Sequence, residues 1–206
     1  MTKITLLHTS DAHVPTFKAL QDRLAPEAIL VQIVRKDWLK QAQKHGVRDK
    51  LRRDVAATVD AAEGTVICTC TTIGAAAAKA GAIRVDAPMM DQAARIGGPV
   101  LMVYALKSTE TPSTELLEAA FHAQGKDAEI RALFCGEFWP LFEAGEHEAF
   151  AACIAGAVRH ALTEEPAACV ALAQASMAGA AVLLSALDIP VLTSPEQAML
   201  TVLNKT

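Results

Sequence analysis

The sequence predicts an α/β protein of two pseudo-symmetric three-layer αβα lobes, each with a four-stranded parallel sheet. Three observations carry that prediction. Apolar runs of strand length alternate with helical segments along the chain, the pattern of parallel sheets covered by helices. One strand–loop–helix stretch recurs at an offset of 104 residues, about half the chain, as expected of a duplicated unit. The 206 residues are 52% hydrophobic, 4% aromatic and 20% charged, a composition that buries a full core without disulfide or metal staples.

The elements follow in order. Strands are expected at residues 4–7, 29–34, 65–69 and 83–85, then at 100–105, 129–134, 170–173 and 190–192. Helical segments lie between them, such as 48–62, 114–123 and 147–162. In the first of these, Leu51, Val55 and Val59 share one face while charges occupy the others, the pattern of a surface helix. Residues 169–187 are long and apolar enough to suggest a membrane span. They contain Gln174, Ser176 and Ser185 and are mostly Ala and Gly, so they read as a buried strand followed by a buried helix. Eight strands with short connections suit two four-stranded sheets better than one. The expected lobes are 1–97 plus 194–206, and 98–193.

The repeat sets residues 66–77 over 170–181. Each copy is a short strand, a polar residue (Cys70 or Gln174), a Thr or Ser two positions on (Thr72 or Ser176), and a small-residue helix. The halves also open alike, with strand 4–7 leading to His8, Thr9 and Ser10, and strand 100–105 leading to Ser108 and Thr109. Ligands of open parallel sheets bind beyond the carboxyl ends of the strands. Two such lobes are expected to present these loops to one cleft.

Composition excludes several classes. Nineteen basic and 23 acidic residues give a net charge of −4, which argues against a nucleic-acid binder. High hydrophobicity with modest charge excludes disorder. Five cysteines show no disulfide-framework spacing, so a reducing cytoplasm is expected. The apolar run before His8 is too short for a signal-peptide core, and no membrane partner is expected. No P-loop or G-x-G-x-x-G motif is present, and the Cys-x-Cys of Cys68 and Cys70 is half a zinc site without a second half. Neither a nucleotide cofactor nor a metal is expected. A phosphatase-type Cys-x5-Arg loop is ruled out by Gly74 and Ala76, where Arg is required. Ser176 follows a strand like a nucleophile-elbow serine, but Gln174 and Ala178 replace both glycines and His160 precedes it, against the Ser–acid–His order.

Cys70 is the sharpest candidate. It ends a strand and precedes a helix expected to start near Ile73 or Gly74, whose free N–H groups and positive potential favour a thiolate. The competing reading is a buried small hydrophobe. Cys68, two residues earlier, points the same way and lies deeper. His8 is the one histidine at a strand end expected to face the cleft; a structural hydrogen-bonding role suits it equally well.

These residues resemble the aspartate/glutamate/hydantoin racemase superfamily, over essentially the whole chain. Cys70-Thr71-Thr72 is similar to the family's Cys-Asn-Thr, with Thr71 in place of Asn. The stretch from Cys135 through Pro140 and Leu141 to Glu143 and Gly145 is similar to the Cys-Pro-x-x-x-Pro-Leu-x-Glu-x-Gly of glutamate racemases. Thr109 matches the second Thr of a Thr-x-x-Thr loop, and Leu106 departs from the first. The resemblance implies a site between two lobes, no cofactor, and two cysteines exchanging a proton at the α-carbon of a small carboxylic acid or amino acid. It assigns catalysis to Cys70, the Gln174 position and, as an auxiliary, Glu143. Substrate binding falls to His8, Thr9, Ser10, Thr71, Thr72, Ser108, Thr109, Ala175 and Ser176.

The second loop departs most. Where the family carries its second cysteine, this chain has Gln174, and Cys169 lies five residues too early. An amide hydrogen-bonds but does not exchange a proton usefully near neutral pH. The functional expectation is therefore proton transfer through a single thiol. The alternatives are a one-sided decarboxylase, a cis–trans isomerase of a small diacid, or an inactive carboxylate binder. Known single-cysteine decarboxylases of this kind keep the second cysteine, whereas this chain keeps the first. Self-association is left open.

Overall fold

The computed structural model describes residues 2–204. The chain divides into two compact units, one holding residues up to Ala87 and from Pro195 onward, the other Pro88–Ser194.

The first unit contains β1 (Lys3–His8), α1 (His13–Leu24), β2 (Ile29–Val34), α2 (Lys36–His45), α3 (Asp49–Asp60), β3 (Thr65–Cys68), α4 (Thr71–Lys79) and β4 (Ile83–Arg84). Its sheet is parallel in the order β2-β1-β3-β4. The chain enters β3 through Gly64, at φ +76°, where a Cβ would strike the Lys3 carbonyl. Only glycine accepts both the left-handed backbone and that approach. One side of the sheet buries Leu7, Val66 and Cys68 with Trp38, Leu51, Val55 and Ile73 from α2, α3 and α4.

After α5 (Ala87–Ile96), the second unit contains β5 (Pro99–Tyr104), α6 (Lys107–Ala123), β6 (Glu129–Phe134), α7 (Trp139–Glu143), α8 (His147–Glu164), β7 (Cys169–Leu172), α9 (Ala180–Leu183) and β8 (Val191–Thr193). The chain closes with α10 (Ser194–Leu203). The second sheet is parallel in the order β6-β5-β7-β8. That order repeats the first, so the duplication extends from one loop to the whole topology.

Two features differ from the sequence expectation. Helix α5 follows β4, yet its Met89, Met90, Ala93 and Ala94 pack with Val100, Met102, Cys169 and Ala171 of the second unit. Helix α10 lies within residues 194–206, which the sequence reading already grouped with the first lobe, and its Ala198, Met199 and Val202 pack with Ile4, Leu6 and Phe17. The two copies exchange their closing helices, so residues 88–97, assigned to the first lobe from sequence, count with the second unit. An apolar stripe shows that a helix is buried, not which sheet buries it.

The buried helix expected after β7 is also broken. Residues 175–177 form a 3-10 turn, and α9 is a single turn after Gly179. Val182 is 75% exposed. The counterpart α4 runs unbroken over nine residues although it contains Gly74, so glycine alone does not account for the break. Among the described residues, no helix is long and apolar enough to cross a membrane.

Candidate active site

The register places Cys70 and Gln174 in matching positions. Leu7 of β1 pairs with Cys68 of β3, and Val103 of β5 pairs with Leu172 of β7. Cys70 and Gln174 each follow two residues later. Both have extended backbone, and each precedes a helical turn as its N-cap. The helix after Cys70 begins at Thr71, two or three residues earlier than the sequence suggests.

In the first unit, the Cys70 sulfur is ringed by donors. The Thr9 and Thr72 hydroxyls and the backbone N–H groups of Thr72 and Ile73 all bond to it and favour its thiolate form. Burial acts the other way and is the larger effect, so the thiol is raised above its ordinary value. This corrects the sequence expectation of a helix-activated thiolate. The helix N-terminus is present, but desolvation outweighs it. Thr9 and Thr71 are buried, and the half-buried Ser10 accepts the Ala12 N–H at 3.3 Å.

His8 is fully buried. Its Nδ1 lies 2.8 Å from Thr69 Oγ1 and its Nε2 lies 2.9 Å from Gln32 Oε1. Its ring sits 5.5 Å from that of Phe17. Burial lowers its pKa, with Gln32 and Asp11 opposing, so His8 stays neutral near pH 7. Cys68 bonds the Cys70 carbonyl at 3.6 Å and is likewise pushed up by burial.

One buried ion pair beside this loop was missed from the sequence. Arg84 and Asp86 meet in a two-pronged contact of 2.9 and 2.8 Å, with side chains 10% and 1% exposed. Arg84 pairs in register with Cys68. A Cβ on Gly74 of α4 would come within 3.1 Å of its Nε. Opposite charges two apart, after an otherwise apolar run, were the available signal, since such residues share a strand face.

In the second unit, the Gln174 side chain is committed to its own loop. Its Oε1 accepts the backbone N–H of Ala105 at 2.6 Å and of Leu106 at 3.0 Å. Its Nε2 lies 3.5 Å from Ser176 Oγ. Those N–H groups follow β5, so Gln174 fills a two-donor nest at the strand's end. Ser108 and Thr109 lie in the first turn of α6 rather than in a loop, and Thr109 N bonds Leu106 O at 2.9 Å. Ala175 is buried and Ser176 half-buried. Burial pushes Tyr104 up to about 12, helped by its bond to Glu110; it pushes Cys135 up to about 12 and Cys169 up to about 11.

The structure therefore joins Cys70 to Thr9 and Thr72, and Gln174 to Ser176 and the strand-end N–H groups. Glu143 joins neither group; it is exposed at the end of α7. All five cysteines are free. Among the described residues, no three His, Cys, Asp or Glu side chains cluster as a metal site.

No family model matches the chain, and no curated protein matches it at a significant level. Solved structures do. Glutamate racemase from Francisella tularensis subsp. tularensis SCHU S4, in complex with D-glutamate, aligns over 99% of this chain and 80% of its own, at 13% identity and a TM-score of 0.74. Allantoin racemase from Klebsiella pneumoniae aligns over 99% and 87%, at 18% identity and a TM-score of 0.68. Unliganded arylmalonate decarboxylase aligns over 99% and 92%, at 12% identity and a TM-score of 0.55. The chain has the racemase fold. Within this chain, the amide of Gln174 stands in the second unit where the thiol of Cys70 stands in the first.

Proposed function

We propose that this chain is a cofactor-independent proton-transfer enzyme of the aspartate/glutamate racemase superfamily. It acts at the α-carbon of a small carboxylic acid or amino acid, with Cys70 as its thiol. The observation that supports this most is the Cys70 sulfur itself. Burial keeps it protonated, while two hydroxyls and two backbone N–H groups stand ready to stabilise the thiolate it becomes. A group built that way is a proton donor. In decarboxylation the bond to the leaving carboxylate breaks with release of carbon dioxide, the electron pair left on the α-carbon takes the Cys70 proton, and the thiolate, held by its donors, is reprotonated from water. In exchange, that thiolate removes the α-proton and returns a solvent proton to the same face. Gln174 has no proton to exchange, so the reaction is one-sided, as in decarboxylation or in hydrogen exchange at one face. The shared fold with two racemases and a decarboxylase supports the same reading.

The test is to incubate a panel of small carboxylic and amino acids with the protein in D2O and follow α-deuteration. Wild type is expected to exchange or decarboxylate at least one acid, and Cys70→Ser to fail. If no acid in the panel reacts faster with wild type than with Cys70→Ser, the proposal is wrong. Gln174→Cys is expected to add exchange at the second face.

One observation favours a second reading, a carboxylate-binding protein without turnover. Gln174 occupies the N–H pair of its own loop, leaving that loop with neither a thiol nor a free nest. This reading expects saturable carboxylate binding by calorimetry, unchanged in Cys70→Ser, with no exchange in either protein.

A further inference from the structure

A cavity of about 410 Å3 opens in the first unit between α3 and α4, and Cys70 is not among its lining residues. Its volume lies within the usual range for small-molecule sites. The floor is aliphatic, formed by Ala56, Ala75 and Ala76, and the polar wall is cationic, with Arg52, Arg53 and Lys79. No acidic side chain lines it. Arg52 is partly neutralised by Asp49 at 3.1 Å. Arg53 and Lys79 have no counter-ion among the described residues. On a chain of net charge −4, uncompensated cations around an apolar hollow select an anion with an apolar body.

We propose that this cavity binds a small organic anion and that occupancy acts on Cys70 through Thr72. Thr72 lines the cavity, and its hydroxyl and N–H also bond the Cys70 sulfur. An occupant that shifts the first turn of α4 changes the donor set that favours the thiolate. The inference concerns binding and thiol reactivity, not turnover, so it stands or falls apart from the proposed activity.

The probe is 8-anilinonaphthalene-1-sulfonate, with neutral N-phenyl-1-naphthylamine as the uncharged control. Fluorescence titration is expected to show one saturable sulfonate site, weakened by added salt, with the neutral analogue binding several-fold more weakly. Arg53→Ala with Lys79→Ala is expected to weaken sulfonate binding about fivefold or more, the scale of two exposed charge contacts. Both positions are exposed, so this variant keeps its fold. Ala76→Phe, which fills the hollow, is expected to abolish binding. Saturating sulfonate is expected to change the rate at which iodoacetamide alkylates Cys70 at pH 9, read by mass spectrometry in a Cys153→Ser background. Sulfonate binding that survives both cavity variants, or that favours the neutral analogue, overturns the site. An unchanged alkylation rate at saturation overturns the link to Cys70.

Discussion

Replacing Gln174 with Met removes the acceptor and keeps the side chain's length. Two backbone donors lose their partner: Ala105 N at 2.6 Å and Leu106 N at 3.0 Å. Ala105 is 3% exposed, so its N–H is stranded and costs about 1–3 kcal/mol. Leu106 is half-buried, and water restores part of its bond. The expected destabilisation is about 2–4 kcal/mol, well above an ordinary surface change. Gln174→Glu keeps the acceptor and adds charge to both bonds, so it is expected to hold wild-type stability near neutral pH. The assay is equilibrium urea unfolding by circular dichroism and tryptophan fluorescence. Trp38 and Trp139 sit in different units, so Trp38→Phe leaves a reporter for the second unit alone. A Gln174→Met midpoint within about 0.5 kcal/mol of wild type, at unchanged slope, would refute the reasoning.

Three further outcomes are expected. His8 is neutral in the fold, with a pKa held below its unfolded 6.5 by burial. The unfolded chain therefore takes up a proton first as pH falls. The His8 contribution is complete above about pH 6.5 and declines below it, approaching about 1.4 kcal/mol per pH unit; urea midpoints across pH 5–8 that do not follow His8 would count against this. Burial raises Cys68, Cys70, Cys135 and Cys169, while Cys153 is partly exposed. A disulfide reagent at pH 7.5 should label Cys153 first, Cys153→Ser should remove the fast phase, and fast labelling of Cys70 would contradict the burial argument. Asp86→Ala removes the two-pronged carboxylate partner of the buried Arg84 guanidinium and is expected to cost about 3–5 kcal/mol; a change under about 1 kcal/mol in thermal or urea unfolding would count against the pair's role in stability.

The central strands β1, β3, β5 and β7 were legible because burial on both faces makes each a short apolar run. Strand 29–34, at the sheet's edge, was bounded correctly from its apolar run although Ile29 and Val31 are exposed. The start of α6 was less visible: Pro112 lies inside it and suggests a later beginning, so Ser108 and Thr109 read as loop rather than first turn. The Arg84–Asp86 pair was missed because its local mark, opposite charges two apart, does not show burial. The close approach of Gly74, on a neighbouring helix, is visible only in the folded chain.

Residue order alone carried the alternation of strands and helices, the repeat, and the pairing of Cys70 with Gln174, because each is a local pattern or a likeness between two local patterns. Three things depended on the folded chain: the packing of α5 against the second sheet, the balance at the Cys70 sulfur, and the occupation of the Ala105 and Leu106 donors by Gln174. All three come from groups far apart in sequence. A helix N-terminus can be read from spacing, but the desolvation that overrides it is set by everything packed around the sulfur.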